Sequence, residues 1–213
     1  MSRVVWSLIL ILGAAGLIVQ VWPEFLPSST RGPVSALFDL GEEGTVANWL
    51  SALLLGMSGL LALLNGGRSA VSASDRRYWH WLGFILLFLS LDEAVALHEQ
   101  VGDWMGDSLS PIGVTLGWVA PWAVFVLVIG LAYWRFVARQ DPWLRRRIVW
   151  AGVLYVAAAL VTRFLAESLV DRLDEVAYQV LIVVQEVAEM VAIAWFAITV
   201  LRWTTDGSPT TDG

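Results

Sequence analysis

The sequence predicts an all-α polytopic membrane protein built as a bundle of six transmembrane helices. Three observations lead to this prediction. The chain of 213 residues is 58% hydrophobic and only 15% charged, and its mean hydropathy is +0.69. Its apolar residues also fall into runs of about 20, the length at which a helix crosses the hydrocarbon core of a bilayer. We expect one transmembrane domain over residues 1–203 and a disordered tail over residues 204–213.

The predicted spans are bounded by charged residues and turn signals. They cover residues 4–22, 46–65, 78–99, 112–134, 148–170 and 177–201. The first span follows Arg3, and the second lies between the acidic turn at 42–44 and the glycine pair at 66–67. The third span follows the arginine pair at 76–77. Each of these boundaries separates an apolar run from residues that favour water.

The later spans have boundaries of the same kind. The fourth contains Pro121, which predicts a kink. The fifth follows the arginines at 145–147, and the sixth lies between the acidic Glu175 and the basic Arg202. An even number of crossings places both termini on the same side of the membrane.

The arginines predict the orientation of the bundle, because cytoplasmic loops of membrane proteins collect basic residues. Most of them fall on one predicted side: Arg3, Arg68, Arg76, Arg77, Arg135, Arg139, Arg145, Arg146, Arg147 and Arg202. The loops on the other side are mainly acidic. We therefore expect a multi-pass protein of the cell membrane with both termini in the cytoplasm.

Composition excludes several classes of function. The net charge of −6 is the wrong sign for a protein that neutralises nucleic-acid phosphates, so no nucleic-acid partner is expected. The absence of Cys rules out thiol catalysis, Cys-ligated zinc and iron–sulfur clusters. Every basic residue other than histidine is arginine, so no lysine Schiff base can form with retinal.

Ionisable side chains inside the predicted spans mark the candidate site, because such residues are costly in a bilayer. The third span ends in SLDEAVALHEQ, the fifth holds Arg163 and Glu167, and the sixth contains QEVAEM. The third and sixth spans contribute Asp92, Glu93, His98, Glu99, Glu186 and Glu189. Five of these acids, Asp92, Glu93, Glu167, Glu186 and Glu189, would cost on the order of 15 kcal/mol if they faced lipid as anions. We expect protons, Arg163, water or a bound cation to compensate them.

A divalent metal ion suits this set of ligands. Carboxylate oxygens favour Mg²⁺, Ca²⁺ or Mn²⁺, and carboxylates combined with imidazole suit Fe or Mn. We expect the principal metal ligands to be Glu93, Glu99, Glu186 and Glu189, with His98 and Asp92 as further candidates. Glu93 and His98 lie about 140° apart around an ideal helix. A site that used both would require the helix to unwind near residue 98.

The fifth span suggests catalytic roles. Glu167 would act as a ligand or general base, and Arg163 would hold a substrate anion or orient Glu167. A purely structural alternative remains open. In that alternative Arg163 forms an ion-pair network with one or two carboxylates, while His98 and Glu99 reach the membrane interface.

These motifs resemble those of a group of bacterial six-helix membrane proteins of no known function. The resemblance rests on DEA-x-x-x-HE at the end of a middle span and E-x-x-EM in the last span. It covers Asp92, Glu93, His98, Glu99, Glu167, Glu186 and Glu189. The group has two adjacent acids where this chain has Gln185 before Glu186, which removes one possible ligand. The resemblance implies a shared polar site and no particular reaction.

The leading hypothesis is a metal-dependent membrane enzyme whose site opens outward and acts on a lipid or other apolar small molecule. A proton- or cation-coupled transporter or channel is an alternative, as is a non-catalytic subunit of a membrane complex. Association of several copies of the chain is compatible with each of these.

One further motif is set aside. GMSG at 56–59 matches the G-x-S-G of intramembrane rhomboid proteases. That chemistry needs a histidine base from a later helix, and neither His80 nor His98 lies in the last two spans. We interpret the motif as a place where helices pack closely.

Overall fold

The computed structural model describes residues 2–22, 32–68, 71–97, 100, 119–162, 164–165, 169 and 173–206. Over these residues the chain is helical, with turns between the helices. In chain order the helices are α1 (Ser2–Val21), α2 (Pro33–Ala36), α3 (Val46–Gly66), α4 (Ala73–Val95), α5 (Val119–Arg139), α6 (Pro142–Val156) and α7 (Glu175–Asp206). A π-helical segment, Ala157–Thr162, continues directly from α6.

Three of the described helices are long and apolar enough to cross a membrane. The stretches that meet this condition are Arg3–Val21, Val46–Gly66 and Glu175–Thr205. They correspond to the first, second and sixth predicted spans. The prediction of a helical membrane protein is confirmed at this level.

The longest helix, α7, lies at the centre of the bundle and packs against α1, α3 and α6. Its C-terminal half carries small apolar residues at close intervals, including Ala192, Ala194 and Ala197, all of which are buried. Short side chains allow neighbouring backbones to approach, which is how helices associate in a bilayer that supplies no hydrophobic driving force between them.

The α3–α4 hairpin is the closest helix pair. A Cβ built on Gly59 would lie 2.9 Å from the carbonyl oxygen of Gly83. Ser90 also donates a hydrogen bond to the carbonyl of Ala52, with an oxygen–oxygen distance of 2.7 Å. The packing interpretation of the 56–59 motif is therefore confirmed.

Helix caps explain two boundaries that differ from the prediction. Ser72 accepts a hydrogen bond from the Asp75 N–H, so α4 begins at Ala73 rather than at residue 78. Asp141 accepts from the Trp143 N–H and Pro142 occupies the first helical position, so α6 begins six residues before the predicted span. Polar first turns extend both helices beyond their apolar stretches.

The last helix extends into the predicted tail, because α7 continues through Asp206. Arg68 donates to the carbonyls of Trp203 and Thr204, each at 3.2 Å, and so satisfies acceptors that a helix end leaves open. Thr204 also donates its hydroxyl to the Val200 carbonyl at 2.7 Å. The first three residues of the expected disordered tail are thus helical.

The ends of the bundle differ in charge. The C-terminal end of α7 meets Arg68, and Arg139 pairs with Asp75 at 2.9 Å nearby in the α4–α5 pair. We call this the arginine end. The other end carries the first turn of α7 and the acidic turn before α3, and we call it the acidic end. α5 is described from Val119 onward, so the predicted kink at Pro121 depends on residues outside the described part.

Candidate functional site

The structure describes four of the eight candidate site residues. Asp92 and Glu93 lie in the last turn of α4, and Glu186 and Glu189 lie in the middle of α7. Asp92 is buried, and the other three are partly buried. The remaining candidates, His98, Glu99, Arg163 and Glu167, lie outside the described residues.

The four described acids share an electrostatic partner on a third helix, Tyr155 of α6. Its hydroxyl interacts electrostatically with all of them, in decreasing order Glu189, Glu93, Asp92 and Glu186. Carboxylates that are separated by about 90 residues in the chain therefore face one common region of the bundle. The structure thus brings together these four acids of the third and sixth predicted spans.

A capping box on α3 supplies a polar partner for this region. Asn48 accepts hydrogen bonds from both the backbone N–H and the hydroxyl of Thr45, at 3.1 and 2.6 Å. These bonds hold the oxygen of the Asn48 amide toward the start of α3. The amide nitrogen is left to donate to Oε1 of Glu93 at 3.3 Å. The capping box that starts α3 therefore also orients the Asn48 amide nitrogen toward Glu93, a carboxylate of the candidate site.

Gln185 supplies a second polar partner, on α7 itself. Only 7% of its side chain is exposed. Its Nε2 donates to Oε1 of Glu189 at 3.1 Å. Its Oε1 is buried and accepts no hydrogen bond within the described part of the chain. A buried carboxamide oxygen without a donor is costly in an apolar interior, and it is also a suitable ligand for a hard cation.

The helix that carries Asp92 and Glu93 stops earlier than the sequence predicts. α4 ends at Val95, and Ala96 takes the left-handed conformation with φ 51° and ψ 47°. This conformation costs an alanine roughly 1 kcal/mol or more. A site that used both Glu93 and His98 would require the helix to unwind near residue 98, and this break is of that kind. It falls two residues before His98.

A second irregularity lies next to Tyr155. The α-helical hydrogen-bond pattern of α6 ends at Val156, and Ala157–Thr162 forms a π-helix. Thr162 donates its hydroxyl to the Ala157 carbonyl at 3.4 Å. π-helical turns are rare in proteins overall, but those that do occur are often found at functional sites. Here the residue that follows is Arg163.

A cavity of about 300 Å³ opens at the acidic end of the bundle. It lies between the end of α1, the turn before α3 and the start of α7, and is lined by Val19, Gln20, Asp39, Gly41, Glu42, Tyr178, Gln179 and Ile182. Asp39 is held in place because its Oδ1 accepts from Gln20 at 2.6 Å and from the Gly41 N–H at 3.0 Å. The cavity is therefore polar and structurally defined.

The cavity and the carboxylate region share one face of α7. By helical geometry, the α7 residues that line the cavity and the α7 residues of the site fall within an arc of about 120° around the helix axis. They are Tyr178, Gln179 and Ile182 for the cavity and Gln185, Glu186 and Glu189 for the site. Ile182 lies at the floor of the cavity, and Glu186 follows one turn later, about 6 Å along the axis. Ile182 itself is buried.

The described acids are partnered but do not form a complete metal cage. Asp92, Glu93, Glu186 and Glu189 each take part in polar or electrostatic interactions. Within the described ranges, no group of three or more His, Asp or Glu side chains is arranged to hold a metal ion. Any such ion would need oxygen donors beyond the described carboxylates.

Sequence reasoning does not identify three of the site residues: Tyr155, Asn48 and Gln185. Asn48 carries a signal that could have revealed it, since T-x-x-N at 45–48 is a capping-box pattern. Gln185 is notable in the sequence only because the group that this chain resembles has an acid at that position. Tyr155 offers no local signal, because one tyrosine in an apolar helix is usually an interfacial or packing residue.

The comparison with protein families gives one match. The family model described as Domain of unknown function (DUF8692) matches residues 5–203. The chain belongs to this family. The match to DUF8692 covers nearly the whole helical region, including every candidate site residue. Among curated proteins and solved structures, none matches the chain.

Proposed function

We propose that this DUF8692 protein is a metal-dependent membrane enzyme that acts on a lipid or another bilayer-dissolved molecule. The proposal includes six membrane crossings, with both termini and the arginine end in the cytoplasm. The acidic end then faces outward, as the distribution of arginines favours. The site lies within the bundle, between α3, α4, α6 and α7.

The observation that carries this proposal is that Glu189, Glu93, Asp92 and Glu186 all interact electrostatically with the Tyr155 hydroxyl. Four acidic groups near one point in a low-dielectric interior repel one another unless they are protonated or share a positive charge. A divalent cation compensates two of these charges at once. Protonation would instead neutralise the acids one at a time.

The proposed ligands extend beyond the described carboxylates. Glu93, Glu186 and Glu189 would bind through carboxylate oxygens, and Gln185 would add its buried Oε1. Asp92, His98 and Glu99 are further candidates in the third predicted span. This oxygen-rich set suits Mg²⁺, Ca²⁺ or Mn²⁺, and an imidazole ligand would add Fe to that group.

The fifth predicted span supplies the proposed catalytic groups. Glu167 would serve as general base or additional ligand, and Arg163 would hold an anionic group of the substrate. The π-helix that ends at Thr162 supports a functional role for this part of the chain, since such turns are frequent at functional sites. The polar cavity at the acidic end would admit water or a substrate headgroup.

The lower part of α7 favours an enzyme over a transporter. From Met190 to Val200, toward the arginine end, the site face of the helix is apolar and largely buried. A coupled transporter needs polar groups or water on both sides of its ion site. On the site face of α7 they occur on the acidic side, whereas Thr199 of the arginine side lies on another face of the helix.

Metal analysis of the full-length protein tests the proposal directly. We expect about one equivalent of a divalent metal after purification in mild detergent, and much less in E186Q and E189Q. E175Q is the matched control, because Glu175 lies in the exposed first turn of the same helix. A chain that holds no stoichiometric metal, and whose metal content does not differ among these variants, would contradict the proposal.

A flux assay distinguishes the enzyme proposal from the transporter alternative. Protein reconstituted in liposomes should carry neither protons nor cations down an imposed gradient. A flux that disappears in E189Q and persists in E175Q would replace the enzyme proposal with a transporter.

A further inference from the structure

Several arginines at the arginine end have hydrogen-bond acceptors within the protein. Arg139 pairs with Asp75 at 2.9 Å, and Arg76 donates to the Val71 carbonyl at 3.1 Å. Arg145 donates to the Ala138 carbonyl at 3.2 Å. Their charge is at least partly compensated by groups of the chain itself.

Other arginines of this end have no such acceptor among the described residues, and three of them interact electrostatically with one another. We call these three the arginine cluster: Arg146 and Arg147 of α6 and Arg202 of α7. Within the part of the chain that the structure describes, no carboxylate or carbonyl accepts a hydrogen bond from them. Arg147 is partly buried and its guanidinium lies 4.8 Å from the centre of the Trp143 ring. Arg146 and Arg202 are exposed beside it.

The members of the cluster repel one another. Burial lowers the pKa of the Arg147 guanidinium, and the nearby charges of Arg202 and Arg146 lower it further. No carboxylate of the described residues opposes this effect at Arg147. α6 and α7 pack against each other, which keeps the backbones that carry these arginines close together. An anion bound between them would relieve the repulsion.

The position of the cluster favours a lipid as the source of that anion. Arg147 directly precedes the fifth predicted span, at the depth where phosphate headgroups lie. Trp150 is one turn further along α6 and is 57% exposed, which suits contact with the upper part of an acyl chain. Guanidinium groups bind phosphate oxygens in bidentate geometry.

We propose that Arg146, Arg147 and Arg202 form a binding site for the phosphate of an anionic phospholipid. The site lies between α6 and α7 and is independent of the metal site and of any enzyme activity. Basic pockets between helices at a cytoplasmic membrane surface are suited to such headgroups. The bound lipid would fix α6, and with it Tyr155, against α7.

Lipid titration of the delipidated, full-length protein, followed by native mass spectrometry, tests this site. The probes are phosphatidylglycerol and phosphatidylcholine with identical acyl chains. The test variant is R146Q/R202Q, which changes two exposed side chains and leaves Arg147 packed on Trp143. The matched control is R76Q/R139Q, which removes the same charge from arginines that already have acceptors.

We expect wild type and R76Q/R139Q to bind one phosphatidylglycerol more tightly than phosphatidylcholine. R146Q/R202Q should lose roughly 25-fold in affinity, and the single variant R202Q roughly fivefold, at the strength typical of an arginine beside an anionic headgroup. Equal affinities in both double variants would overturn the proposal. Equal binding of the two lipids, or displacement by millimolar inorganic phosphate, would also overturn it.

Discussion

The side-chain amide of Asn48 donates to Oε1 of Glu93 at 3.3 Å and so joins the first turn of α3 to the last turn of α4. The first turn of a helix carries unsatisfied N–H groups and a partial positive charge. Glu93 thus accepts a hydrogen bond from the first turn of a neighbouring helix. This contact connects the folding of the α3–α4 hairpin to the electrostatics of the candidate site.

The first prediction separates the capping role of Asn48 from its role in the site. Asn48→Ala removes both the capping box and the donor to Glu93, whereas Thr45→Val removes cap hydrogen bonds alone. We expect both variants to lower the unfolding midpoint, since loss of a cap costs about 1 kcal/mol. Only Asn48→Ala should change the rise in midpoint that added Mg²⁺, Ca²⁺ or Mn²⁺ produces. An equal metal response in both variants would argue against a site role for Asn48.

The second prediction concerns Gln185, which stands next to Glu186 and donates to Glu189. Gln185→Glu replaces an amide donor with a third carboxylate on the same part of α7. Without metal, the added repulsion should lower the unfolding midpoint, because like charges in a low dielectric destabilise one another. With metal, the additional ligand should increase the metal-induced stabilisation beyond that of wild type.

A second substitution at this position provides the control. Gln185→Leu keeps a similar volume and removes both the donor and the free oxygen. We expect it to show a smaller metal response than wild type while remaining folded in chelator. If Gln185→Glu were more stable than wild type in chelator, the acids around it would not be repelling one another as charged groups.

The third prediction tests whether Tyr155 acts through its hydroxyl. Tyr155→Phe keeps the ring that packs against the core and removes the group on which four acids converge. We expect the fold to persist and metal affinity to fall several-fold. Tyr133→Phe is the matched control, because Tyr133 donates to the Tyr78 carbonyl at 3.1 Å, away from the site. Isothermal titration of both variants with Mn²⁺ measures the difference.

The long apolar helices can be predicted from sequence because hydropathy and length are local properties. The second predicted span covers 46–65, and the helix is found at Val46–Gly66. The less accurate boundaries lie where polar residues decide the outcome. Ser72 and Asp141 start helices ahead of their apolar runs, and Ala96 ends α4 through a backbone conformation that its residue type does not signal.

The candidate site is predictable only in part for the same reason. Acids within apolar runs are conspicuous in the sequence, so Asp92, Glu93, Glu186 and Glu189 can be chosen as candidates from position alone. Tyr155 escapes prediction because its role depends on how α6 packs against α7, which no spacing in the sequence encodes. Such partners are determined by tertiary contacts between helices that are distant in the chain.

The fourth prediction concerns the arginine end of α7. Arg68→Gln removes the donor to the carbonyls of Trp203 and Thr204, so the last turn of the helix should fray. Hydrogen exchange of the amides at 201–206 should accelerate, with little change at 190–200. Arg77→Gln is the control, because it removes the same charge from an exposed position on α4. Unchanged exchange at 201–206 in Arg68→Gln would show that the helix end does not depend on this side chain.

The fifth prediction uses two glycines to test the packing of the bundle. At Gly59 an added Cβ would lie 2.9 Å from the Gly83 carbonyl oxygen, so α3 and α4 would have to separate. We expect Gly59→Ala to cost about 1–3 kcal/mol, as overpacking of close contacts usually does. A Cβ added at Gly152 would meet no heavy atom of the described residues within 4 Å. Gly152→Ala should therefore raise the unfolding midpoint, because alanine favours helix over glycine by about 1 kcal/mol. Thermal unfolding in the same detergent measures both, and a midpoint that rises in Gly59→Ala would contradict the close α3–α4 contact.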